Sequence, residues 1–85
     1  MDVLCLSYEQ MLKAKSEGKL VSLPEFCANP RHNYLTAEEK GCIVGVATIG
    51  VHQQNLHLET IEVAMSHRHH GVATAILDSL YNSAG

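Results

Sequence analysis

VAMSHRHHGVATAIL, residues 63–77, decides how the rest of the chain is read. It opens on the end of an apolar run, passes through a polar turn rich in histidine, and changes period at Gly71. From there Val72, Ala73, Ile76, Leu77 and Leu80 fall on one side of a helix, with Asp78 and Asn82 elsewhere. A strand feeding a glycine-containing turn and then a helix makes a recurrent anion site. The first amides of a helix have no intrahelical acceptor, and the helix dipole favours negative charge beside them. Arg68 adds a bidentate donor suited to phosphate, and Gly71 removes a side chain where a ligand would approach. Neither G-x-x-x-x-G-K-S/T nor G-x-G-x-x-G is present, so this is a different kind of phosphate loop or none.

His67, His69 and His70 admit three readings. They are anion contacts that donate when protonated, exposed turn residues without a ligand, or nitrogen ligands for a metal. The metal reading is set aside. Adjacent histidines rarely converge on one ion, and no nearby cysteine or carboxylate completes a ligand spacing.

Working back from the turn, residues 56–65, LHLETIEVAM, read as a strand. Alternation places His57, Glu59, Ile61 and Val63 on one face and Leu58, Thr60, Glu62 and Ala64 on the other. Neither face is cleanly apolar, which leaves one partly open to solvent or a ligand. Residues 50–55 are a polar connection. Residues 34–49 read as a hairpin, with a polar turn at 38–41 whose glycine suits a left-handed position, followed by a β-branched strand. Residues 20–31 are ambiguous: Pro24 can open a short helix through Glu25 and Phe26, which Pro30 would end. At the start, Val3, Leu4 and Leu6 supply a short strand. Ser7 caps a helix with Glu9 and Gln10 in its first turn, Met11 and Leu12 form its apolar stripe with Tyr8, and Gly18 closes it.

At 85 residues the chain is one domain or part of one, and 46% hydrophobic residues with 18% charged argue against wholesale disorder. The formal charge is −3, and no lysine or arginine lies between Lys40 and Arg68. A broad basic surface for nucleic acid is therefore not expected. No apolar run approaches the roughly 18 to 20 residues of a membrane span. The N-terminal MDVLCLS lacks the basic leader and long apolar stretch of a secretory signal. Cys5, Cys27 and Cys42 are odd in number and form no C-x-x-C pair, which reads as reduced, mostly buried thiols in a cytoplasmic protein.

Residues 63–77 resemble the central motif of the GNAT superfamily of acetyl-CoA-dependent N-acetyltransferases. That pattern is a strand, a short turn, Gln/Arg-x-x-Gly-x-Gly/Ala, and a helix starting with apolar residues. Arg68, Gly71 and Ala73 stand at its three fixed positions, and Ile76 and Leu77 at its apolar pair. Upstream, residues 41–49 are similar to the family's glycine turn and following strand, so the likeness spans roughly 34–80. Two residues depart from the pattern: His69 stands where glycine is common, and Met65 where proline often is.

The resemblance implies an α+β, GNAT-like domain of strand and helix, hairpin and strand, then coenzyme-binding loop and helix. It implies acetyl-CoA as cofactor, its pyrophosphate held by the backbone of Arg68, His69, His70, Gly71, Val72 and Ala73. Main-chain groups at Ile61, Val63 and Met65 would hold the pantetheine arm. His57 and Glu59 are nominated as general base, the alternative being a surface histidine and a solvated carboxylate. The family's domain usually continues past this helix, so residues 1–85 are expected to be a minimal or truncated form. A homodimer partner would then complete the cleft. Two functions follow: transfer of acetyl to a primary amine of a small molecule or protein, or a non-catalytic interaction or regulatory module on part of the same fold.

Overall fold

In the computed structural model, which describes residues 1–68 and 71–84, the chain runs β1 (Asp2–Leu6), α1 (Tyr8–Ser16), β2 (Asn33–Glu39), β3 (Cys42–His52), β4 (Asn55–Val63), a short 3₁₀ turn (Met65–His67) and α2 (Val72–Ala84). The four strands form one antiparallel sheet in the order β1-β2-β3-β4, which leaves β4 at an edge. The mixed α+β arrangement follows the sequence reading. Its details depart from that reading wherever long-range packing overrides local preference.

Helix α1 begins as its residues dictate. The Ser7 hydroxyl accepts from the Gln10 N–H at 3.3 Å, and the Gln10 side-chain oxygen accepts from the Ser7 N–H at 2.8 Å. It ends with Gly18 at φ 77°, where the Gly18 N–H bonds Lys15 O and the Lys19 N–H bonds Ala14 O. That paired closure satisfies two otherwise orphaned carbonyls and needs the left-handed residue glycine supplies. The buried stripe is Met11 and Ala14; Leu12, expected in the core, points outward.

The ambiguity at 20–31 resolves against the short helix that Pro24 could open. Instead the Leu23 N–H bonds Leu20 O and the Phe26 N–H bonds Leu23 O, two turns in succession. Leu20, Leu23 and Phe26 are all buried, and their three-residue spacing suits consecutive i→i+3 turns better than an α-helix. Phe26 meets Tyr34 edge to face with centroids 5.5 Å apart, fixing this segment to the sheet. The opposite sheet face belongs to α2. A Cβ on Gly45 would fall 2.5 Å from Val72 Cγ1 and 3.1 Å from Ile76 Cδ1, so the helix seats directly on bare backbone.

Both hairpin turns hold two left-handed residues: Lys40 and Gly41 at φ 54° and 80°, then Gln53 and Gln54 at 51° and 68°. Such turns match the twist of the strands they join. The second corrects the expected polar connection at 50–55, because β3 runs through His52 and pairs Val51 with Leu56. The cysteines are all free thiols, but Cys5 and Cys27 are exposed, not buried as expected.

Candidate active site

β4 is not a regular strand. Thr48 pairs with Thr60 and Ile49 with Leu58, so Glu59 is an extra residue and forms a bulge. The extra residue breaks the alternation expected from sequence. Ile61 and Val63 pair with Ala47 and Gly45 on the α2 face, whereas His57 pairs with Gly50 on the other. The Glu59 carboxylate also lies over Gly50: a Cβ there would sit 2.8 Å from Oε1. His57 and Glu59 thus leave the face of Ile61 and Val63 and join that of Glu62.

The outer edge of β4 is the second element. The Ala64 N–H donates to Val44 O at 2.8 Å, which fixes the ladder phase. In an antiparallel ladder the hydrogen-bonded pairs alternate, so the N–H and C=O of Ile61 and Val63 turn away from β3. The Val63 carbonyl accepts from Arg68 Nε at 3.5 Å, a long contact that folds the arginine back along this edge. Met65, expected to extend the strand, lies in the 3₁₀ turn with its side chain exposed. The ladder ends with the Ala64 bond, so strand geometry does not align the Met65 amide.

An open cleft of about 670 Å³ lies between the turns at 22–26 and β4, bounded by Leu23, Glu25, Phe26, Glu62 and Arg68. A smaller hollow of about 290 Å³ is lined by Arg68, Gly71, Ala73 and Thr74. Val63 and Arg68 border both, so the arginine stands at their junction. Gly71, one of the residues lining the smaller hollow, takes φ 78°, and its carbonyl accepts the Ala75 N–H at 3.0 Å, starting α2. The side chain of Val72 is buried against the sheet, leaving only its backbone for a ligand. His67 turns toward Ser66, whose Oγ is 2.8 Å from Nδ1, with Glu39 3.9 Å from Nε2. His69 and His70 lie outside the described residues.

A model of the acetyltransferase (GNAT) family matches residues 2–84. The chain belongs to that family. No curated protein and no solved structure matches it. Arg68, Gly71 and Ala73 of this GNAT domain line the same hollow beside Val63. Sequence reasoning missed His32, whose Nε2 lies 2.8 Å from Glu59 Oε2, and the contribution of Glu25 and Glu62 to the cleft. The pairing of His32 with Glu59 has no local signature, since it joins residues 27 apart across the bulge.

Proposed function

We propose that this chain is an N-acetyltransferase that uses acetyl-CoA to acetylate a primary amine of a small molecule or a protein. The observation that carries the reading is the outer edge of β4, where the backbone groups of Ile61 and Val63 face away from β3 and run into the Gly71 turn. An extended ligand arm bearing amides suits such an edge as an added strand does. The amides of Gly71, Val72 and Ala73 and the Arg68 guanidinium would hold the coenzyme's pyrophosphate, by the helix-start preference for anions. His69 and His70 complete that turn in sequence, and Met65 would meet the arm through its exposed side chain.

The bound thioester supplies an activated acyl group; the chain supplies binding, aim and a base. A lysine-like amine has a pKa of about 10.4, so a neutral nucleophile at physiological pH requires proton removal. Glu59 is the favoured base, because its carboxylate is anchored at the bulge. His57, whose ring lies 6.1 Å from that of His52, is the second candidate. A second copy of the chain would shelter the exposed β4 edge and the neighbouring Val51, Leu56 and Leu58.

Titration calorimetry with acetyl-CoA and free CoA tests the reading, beside a measurement of solution mass. Binding should weaken about 10- to 100-fold in Arg68→Ala, the range for a lost charge-assisted hydrogen bond, and vanish in Gly71→Glu. A folded protein that ignores both ligands at high concentration would leave the interaction-module reading, which the apolar hairpin tip favours.

A further inference from the structure

His32 sits in a turn built with unusual care for an irregular segment. Its own N–H bonds Asn29 O at 3.1 Å, and the Arg31 N–H bonds Asn29 Oδ1 at 2.9 Å. Tyr34, almost wholly buried, ties the same asparagine to the sheet: its hydroxyl receives the Asn29 N–H and donates to Asn29 O. The ring of His32 is therefore mounted on β2 through a double anchor.

From that mount, Nε2 reaches Glu59 Oε2 at 2.8 Å, while Nδ1 is buried with no hydrogen-bond partner among the described residues. This asymmetry selects a tautomer. A proton on Nδ1 would be a buried, unsatisfied donor, whereas an unprotonated Nδ1 leaves only a lone pair unmet. The arrangement favours the tautomer with its proton on Nε2, donated to the carboxylate. Glu59 Oε1 makes no hydrogen bond among the described residues and passes over Gly50, where even a methyl group would meet it at 2.8 Å. The Glu59 side chain is 47% exposed against 21% for His32, so it stays accessible while its partner is the more enclosed of the two.

We propose that His32 is a positioning residue for acetyl transfer, holding Glu59 Oε2 through Nε2–H so that Oε1 is the free basic atom that takes the acceptor's proton. The role rests on the reading of Glu59 as the base. Oε1 takes one proton from the amine as its nitrogen bonds the acyl carbon. The carbon–sulfur bond then breaks with its electron pair on sulfur, and the thiolate leaves and takes a proton from solvent to become the free thiol. His32 keeps its proton throughout.

Nitrogen-15 spectra of the imidazole rings provide a test independent of turnover. At a pH high enough for the imidazoles to be neutral, the wild-type ring of His32 should be a single tautomer protonated at Nε2, and Glu59→Ala should release it into a mixture. A mixed tautomer in the wild type, or a ring indifferent to Glu59→Ala, overturns the proposal.

Steady-state transfer from acetyl-CoA to spermidine and to a lysine-containing peptide provides the second arm. His32→Phe should lower kcat about 10- to 100-fold, as for a lost hydrogen bond to a charged group, with the KM for acetyl-CoA unchanged. His32→Gln, which keeps an N–H donor at similar reach, should recover most of the rate. If His32→Phe lowers only the melting temperature and leaves kcat intact, His32 is a structural staple and the proposal is wrong. If instead Glu59→Gln keeps the full rate, the error lies in the choice of base.

Discussion

Gly45 and Gly50 lie in the same strand, five residues apart, and serve opposite faces of the sheet. The space above Gly45 is filled by Val72 and Ile76 of α2; the space above Gly50 is filled by the Glu59 carboxylate. Neither glycine is needed for a left-handed backbone. Each is small because something approaches, and what approaches differs in kind. On one face a packed helix allows no give, and on the other the tip of a jointed side chain can move aside. The contrast separates what holds the domain together from what aims its chemistry.

Substitutions at the two glycines would sharpen or break that contrast. Gly45→Val should have the largest effect, because it drives α2 off the sheet. Overpacking of this sort costs about 1–3 kcal/mol, and a melting curve should fall by about 4–8 °C per kcal/mol for a domain of this size. An unchanged melting temperature would mean that α2 does not depend on bare backbone beneath it. Gly50→Ala should barely alter melting but should displace Glu59 and cut acetyl transfer about tenfold, since small misplacements of a reacting group are costly. Loss of stability without loss of rate would reverse the assignment of the two faces. The smallest effect belongs to the β3–β4 turn. Gln54→Gly should stabilise by about 0.5 kcal/mol, measured by chemical denaturation, as relief of a left-handed side chain outweighs the added freedom of the unfolded chain.

The parts of this molecule that were legible in sequence are those determined by neighbours along the chain. Ser7 and Gln10 form their cap within one turn, Gly41 marks a hairpin, and the change of period at Gly71 marks the start of α2. The arrangement of Arg68, Gly71 and Ala73 follows from that same local spacing. What escaped notice is decided across the sheet. Nothing in LHLETIEVAM announces that Glu59 is unpaired, because the bulge exists only in register with Thr48 and Ile49. One extra residue then moves His57 and Glu59 to the other face. Gln53 and Gln54 lack the usual composition of a tight turn, and they adopt one because the pairs on either side leave two residues to close it. The turns at 20–26 take their shape from the three side chains they bury, not from Pro24.

Among the described residues β4 leaves one flank of backbone without a neighbouring strand, and its regular part lies at residues 61–63, past the Glu59 bulge. Edges of that kind template further pairing, so concentrated solutions of the bare chain should turn cloudy with time as sheets join side to side. A ligand lying along Ile61 and Val63 would block that growth by occupying the same donors and acceptors. Coenzyme added to a storage buffer would then act as a preservative, delaying the onset of turbidity at concentrations that track its occupancy.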